Sequence, residues 1–195
     1  MRTPMKKNLI TALLMTVATT ILLGVIYPLV ITVLAQVIFK DKANGQIRYR
    51  NGEAIGSRLI AQPFMLAKYF HPRPSAAGNG YDAANSGGTN YSSTNQKLID
   101  RVRADAATLH QENPTQPVPV DLLTTSASGL DPEISPAAAE FQVPRVARER
   151  GLPESTVRDL VQKYTAQRDL GLLGEPRVNV LELNLALDEI SAAKR

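Results

Sequence analysis

Charge and apolarity divide this chain sharply. No charged residue occurs between Lys7 and Lys40, and the intervening run LITALLMTVATTILLGVIYPLVITVLAQVIF, Leu9–Phe39, is apolar almost throughout. About 20 such residues span a bilayer. As one helix this run would be roughly 46 Å long at ~1.5 Å per residue, well beyond a ~30 Å hydrocarbon core. It therefore predicts a transmembrane helix over 9–39 that tilts, or whose last turns leave the membrane. The rival reading is a cleaved signal peptide ending at Val33–Ala35, VLA, but the apolar run exceeds the ~7–15 residues of a signal core. Ala12, Thr16, Thr20 and Gly24 recur at every fourth position, a ridge of small side chains that lets transmembrane helices approach closely. The plainer alternative is that the threonine hydroxyls bond only to their own helix. Pro28 withdraws the hydrogen bond to the Gly24 carbonyl, which predicts a kink at Gly24–Pro28.

After residue 39 the pattern changes to short periodic elements. GQIRYRNGEAIGSRLIAQ alternates about Asn51-Gly52 and reads as a β-hairpin. His71–Asn95 is a long, apolar-poor loop, a length usually associated with function or disorder. Leu98, Ile99, Val102, Ala106 and Leu109 fall on one face of a helix over 94–112. PVPVDLLTTSASG reads as a strand ending near Thr125. Ser135-Pro136 opens a second helix that ends before Gly151 and is bent by Pro144. A third helix over 153–166 turns Val157, Leu160, Val161 and Tyr164 inward. PRVNV is a short strand and LELNLALDEI a closing helix. The organisation is a basic tail (1–8), a membrane helix (9–39) and one soluble α+β (mixed α/β) domain (40–195).

Composition narrows the chemistry. The net charge of +4 owes most to Arg2, Lys6 and Lys7, which stand in an acid-free segment; the rest is near neutral and lacks the basic face that duplex binding needs. With no cysteine, thiol nucleophiles, disulfides and Cys-ligated zinc are excluded. No phosphate-binding Gly-x4-Gly-Lys-Ser/Thr run occurs, and neither does an EF-hand. The two histidines, His71 and His110, make a poor metal pair. A hydrolase would need His71 oriented by Asp82 near Ser86, and nothing in the sequence requires that. Asp131 and Glu133 could pair as acid and base. The Lys/Arg count flanking the span is nearly even, and the acid-free tail favours a cytoplasmic N-terminus with the domain outside.

Two polar loops stand out. NSGGTN, Asn85–Asn90, could present several backbone N–H groups at once, as phosphate cradles do. SASGLDPEISP, Ser126–Pro136, has a turn-permitting Gly129 and an Asp131 able to bond nearby N–H groups. It is either a strand-to-helix connection or a contact for a partner.

YFHPRPSA (Tyr69–Ala76), SGGTN (Ser86–Asn90), DLLTTSASGLDPEISPAAA (Asp121–Ala139), QVPRVARERG (Gln142–Gly151) and VNVLELNLALD (Val178–Asp188) together resemble the KdpC family, one component of the Kdp potassium-transporting P-type ATPase complex, as does the single span with GVIYPL. The departures, Ala61 where the family usually has Gly and Thr89 where it often has Ser, are slight. The resemblance implies a non-catalytic inner-membrane subunit of a high-affinity, ATP-driven potassium uptake complex. The partners it implies are a P-type pump subunit, a channel-like subunit that selects potassium and a small single-span subunit. The family is described as a catalytic chaperone that raises the pump's affinity for ATP and as a stabiliser of the complex. The Asp-Lys-Thr-Gly phosphorylation motif is missing, since Asp41-Lys42 is followed by Ala43. Ser86-Gly87-Gly88 resembles the Ser-Gly-Gly core of the ABC-type ATPase signature, which caps a nucleotide held by another chain, so ATP shared with the pump subunit, not bound stably, is one expectation for Ser86, Gly87, Gly88, Thr89 and Asn90. A periplasmic domain opposes it, because ATP is scarce there. Ala12, Thr16, Thr20, Gly24, Pro28, Arg73, Ser128, Gly129 and Asp131 are the expected partner contacts. A membrane-anchored periplasmic hydrolase and a stand-alone binding module remain the rival classes.

Overall fold

The structure is a computed structural model that describes residues 4–193; Arg2 of the basic tail lies outside them. The chain divides into two compact units, residues 1–46 and 47–195.

In the first unit, α1 (Pro4–Ile21) runs through a π turn (Leu22–Ile26) into α2 (Tyr27–Ile38), and α3 (Lys40–Ala43) adds one turn. Among the described residues, Pro4–Ile38 is the one helix long and apolar enough to cross a membrane, with mean hydropathy 2.5 and none of its most apolar stretch buried. Where a kink is expected, at Gly24–Pro28, the helix leaves α geometry through the π turn. The Tyr27 N–H reaches back to the Leu22 carbonyl, an i→i+5 bond. Pro28 follows directly and has no N–H to resume the ordinary ladder with Gly24. The side-chain amides of Gln36, in the last turn of α2, and Asn44 bond to each other in both directions at 3.3 and 3.2 Å.

The second unit mixes helices with short strands, as the sequence pattern predicts. The hairpin β1 (Ile47–Arg50) and β2 (Glu53–Ser57) is antiparallel. Asn51 and Gly52 both have positive φ (52° and 84°), which is what a two-residue turn of matching twist requires. A second sheet has the order β3 (Glu133–Ile134), β5 (Arg177–Asn179), β4 (Thr165–Ala166), all antiparallel. Three helices surround it: α5 (Pro136–Arg150), α6 (Glu154–Tyr164) and α7 (Val180–Ala193). Phe141, Val143, Val146, Val157, Val178, Val180, Leu183 and Leu187 form the core between them, and Phe70 from the long loop joins it, fully buried.

Local chemistry explains the boundaries. Ser135 caps α5 through a bond from the Ala138 N–H to its Oγ (3.0 Å), and the Asp121 carboxylate holds the Ser135 N–H at 2.8 Å. Gly151 closes α5 at φ 61°, in the left-handed region. Pro144 is carried inside one continuous α5. Asn95 caps α4 (Gln96–Glu112), whose predicted apolar face is present but only half-buried.

One element differs from expectation. PVPVDLLTT is not a strand: Val120–Leu122 forms a 3-10 turn, closed by bonds from Leu122 and Leu123 to the carbonyls of Pro119 and Val120 (3.1 and 3.0 Å). Pro117 and Pro119 lack the N–H groups a ladder needs. Asp121 is drawn to Ser135 instead. The two-residue strands β3 and β4 were not legible as strands.

Candidate functional site

The two polar loops meet. The Gly87 N–H donates to the Ser128 carbonyl at 2.9 Å, and the Ser86 hydroxyl donates to the same oxygen at 3.0 Å. Gly129 turns at φ 67°; a Cβ there would stand 2.7 Å from both the Ala77 nitrogen and the Gly87 oxygen. Gly88 does not have a positive φ. It is small for another reason: a Cβ would lie 3.0 Å from the Ala127 carbonyl oxygen. The glycine and serine positions thus form a backbone-to-backbone clasp between residues 86–88 and 126–129. Asn90, at φ 53°, turns the chain away, and Thr89 is half-buried beside it.

Arg73 locks the second loop from the far side. Its guanidinium bonds Asp131 (3.0 Å), the Thr124 carbonyl and hydroxyl (3.4 and 3.3 Å) and the Thr125 carbonyl (3.4 Å). The other Asp131 oxygen accepts from the Glu133 N–H at 3.0 Å. Ser75 donates to the Gly129 carbonyl at 2.6 Å while its oxygen accepts from the N–H groups of Ala77 and Tyr81. The Tyr81 hydroxyl donates to the Arg73 carbonyl at 2.8 Å, and burial pushes its pKa up. Ser128 Oγ accepts from the Leu130 N–H. Arg73, Ser86, Gly87, Gly88, Ser128, Gly129 and Asp131 therefore belong to one assembly.

Beneath it lies a set of residues that sequence reasoning did not single out. Asn184 on α7 accepts from the Phe70 N–H (2.8 Å) and donates to the Phe70 carbonyl (2.9 Å). Gln142 on α5 does the same for His71, at 2.8 and 3.1 Å. Both amides are almost completely buried. Arg145, also buried, bonds Gln142 (2.7 Å), the carbonyls of Tyr69 (2.8 Å) and Ala67, and Glu112 (2.7 Å). Three buried polar residues on core helices thus grip the main chain of 67–71. Their polarity did not mark them, because α5 and α7 carry other polar residues, among them Glu140, Arg148, Glu149 and Glu189.

The rival chemistries are not assembled. His71 Nε2 faces the Leu66 carbonyl at 3.3 Å, and burial, then the Arg145 charge, lowers its pKa. Asp82 accepts from the Asn85 amide (2.6 Å) and the Ala84 N–H (2.9 Å), bonds that hold its carboxyl below the usual range. Ser86 serves the clasp. Asp131 and Glu133 are paired with different arginines, Arg73 and Arg177 (3.0 and 3.1 Å). Burial raises the Glu133 pKa, against the opposing pull of Arg177. Among the described residues no group of His, Asp and Glu is placed to hold a metal ion.

In the membrane helix, the Thr16 hydroxyl donates to the Ala12 carbonyl at 2.9 Å, and Gly24 lies against Thr20, whose methyl would be 3.8 Å from an added Cβ. The first of these contacts is the self-bonding that the plainer reading of the ridge expects. Ala12, Thr16, Thr20 and Gly24 remain at least partly exposed along the helix, with Pro28 just past the π turn.

Residues 9–189 match the family model described as "KdpC: K+-transporting ATPase, c chain". A protein of Koribacter versatilis named potassium-transporting ATPase KdpC subunit is 68% identical over 184 residues, covering 94% of this chain and 95% of the relative. Proteins of the same name from Acidobacterium capsulatum and Rhodopseudomonas palustris are 56% and 54% identical, each aligned with 94% of this chain and 98% of the relative. The clasp and the buried amide grip fall in the stretches that carried the resemblance, and with the family match over nearly its full length the chain belongs to the KdpC family.

Proposed function

We propose that the chain is the non-catalytic subunit of a high-affinity, ATP-driven potassium uptake complex. Its N-terminal helix crosses the bacterial inner membrane with the tail in the cytoplasm, and residues 40–195 lie in the periplasm. It assembles and stabilises the P-type pump subunit, the channel-like subunit and the small single-span subunit. It raises the pump's ATP affinity through that assembly, as a catalytic chaperone without a catalytic group of its own. The relatives' name, potassium-transporting ATPase KdpC subunit, supports the setting.

The observation that carries this reading is the bond from the Gly87 N–H to Ser128. It commits the centre of the Ser-Gly-Gly motif to holding two loops together. A direct ATP contact is the second reading. In its favour, the N–H groups of Gly88, Thr89 and Asn90 donate to no acceptor among the described residues, and space is open beside Gly87.

Topology separates the two. The chain has no cysteine, so Thr89→Cys and Arg168→Cys each give a single thiol. The proposal expects a membrane-impermeant thiol reagent to label Arg168→Cys in intact cells, and Thr89→Cys more slowly because it is half-buried. Labelling of both only after lysis would place the domain with cytoplasmic ATP and defeat the proposal.

A further inference from the structure

The hairpin between β4 and β5 ends in three leucines that none of the described residues covers. Leu170, Leu172 and Leu173 are 91%, 81% and 62% exposed. The tip is built, not frayed. Asp169 and Leu173 exchange backbone bonds at 2.8 and 2.9 Å, the Gly171 N–H reaches Arg168 and the Leu172 N–H reaches Asp169. Leu170 is held at φ 54°, a conformation that costs a branched side chain energy and that glycine would adopt freely. At the base, Arg168 pairs with Glu175 (2.6 Å), and Arg177 pairs with Asp169 (3.5 Å) and Glu133 (3.1 Å). Folding gains nothing from three aliphatic side chains in water, one of them on a strained backbone. A contiguous apolar projection of this kind marks a contact surface.

We infer that this tip is a docking knob that seats Leu170, Leu172 and Leu173 in an uncharged, aliphatic-lined socket on another protein subunit of the ATPase. The inference rests on the reading of the chain as a subunit of that complex. Charge selects a protein over a lipid surface. Membrane-inserting elements couple apolar side chains to a basic flank that anionic headgroups attract. Here the arginines and acids around the tip neutralise one another in ion pairs. Rigidity selects in the same direction: a fixed shape benefits a fitted socket by lowering the ordering cost of binding, whereas acyl chains fit any shape.

The test uses the full chain within the complex purified from membranes. Leu172→Cys provides the only thiol in the chain, and a benzophenone maleimide on it is photoactivated in the assembled complex. Val120→Cys, at a position also largely exposed, sets the background. The expected result is a covalent adduct with another ATPase subunit, several-fold above background, identified by mass spectrometry. A second variant, Leu172→Asp, is expected to lower retention of the other subunits about tenfold, the loss typical of one anchor residue. Its amount in membranes and its thermal unfolding should match wild type, because the side chain is exposed. Adducts with lipid, or adducts no stronger than those of Val120→Cys, overturn the inference while leaving the subunit reading intact. If the wild-type chain retains no other subunit, that reading fails and the inference fails with it.

Discussion

Gly129→Ala isolates the contribution of the clasp, because a control of the same chemistry exists in the same domain. Gly129 and Gly151 have nearly equal backbone angles, φ 67° and 61°. An L-residue in this region costs roughly 1–2 kcal/mol. The surroundings differ. A Cβ at Gly151 meets nothing within 4 Å, whereas at Gly129 it lies 2.7 Å from the Ala77 nitrogen and the Gly87 oxygen and 3.0 Å from the Ala77 Cβ. Two of those three are main-chain atoms that no rotamer change can move. Forcing the loops apart adds about 1–3 kcal/mol, the usual range for overpacking, and it lengthens the bond from Gly87 to Ser128. We expect Gly151→Ala to cost about 1–2 kcal/mol and Gly129→Ala about 2–5 kcal/mol, each kcal/mol lowering the midpoint by roughly 2–4 °C for a domain of this size. The assay is thermal and denaturant unfolding of the full chain in detergent. If the two variants agree within about 0.5 kcal/mol, the clasp is a loose contact and the reasoning fails.

Other outcomes follow from the same geometry. Arg73→Lys should destabilise nearly as much as Arg73→Ala, about 2–3 kcal/mol, because a point-like ammonium cannot reach Asp131, Thr124 and Thr125 together; rescue by lysine in chemical unfolding would refute the forked contact. Gly24→Leu should reduce co-purification of the other subunits while Leu22→Ala does not, with insertion of both unaffected; normal assembly of Gly24→Leu would make the ridge incidental. His71 is held below its unfolded value of 6.5 by burial and by Arg145, so the unfolded chain binds the proton more readily. Its contribution to stability is therefore fully present above pH ~6.5 and is lost as pH falls from there towards the depressed folded value. Wild type should lose more stability than His71→Asn between about pH 7.5 and 5.5, and equal losses would count against the burial.

The sequence showed its periodic elements clearly and its tertiary contacts hardly at all. The hairpin at Asn51-Gly52, the cap at Ser135 and the stop at Gly151 depend on neighbours a few residues away, so local chemistry announces them. The irregularity before Pro28 was legible for the same reason. Val120–Leu122 misread as a strand because alternation outweighed two prolines. The meeting of residues 86–88 with 126–129 was invisible, since each loop's shape depends on a segment some forty residues distant. Gly88 is constrained in the same way, by its proximity to the Ala127 carbonyl in the other loop. Gln142, Arg145 and Asn184 were hidden deepest. Nothing local distinguishes a buried amide that grips a remote backbone from one that faces water.

That grip has a consequence for the order in which the domain forms. Asn184 and Gln142 hold Phe70 and His71 by main-chain groups alone, across 114 and 71 positions of sequence. During synthesis the segment around Phe70 leaves the ribosome long before α5, and longer still before α7. Loop closure over such separations comes late. The Arg73 and Ser75 bonds that shape the second loop start only a few residues further on. The hold on Phe70 is therefore completed only once α7 has been made. A nascent chain that stops short of Asn184 lacks the two bonds that hold the Phe70 main chain, so ribosome-bound chains arrested before and after residue 184 should differ in protease sensitivity around residues 69–71.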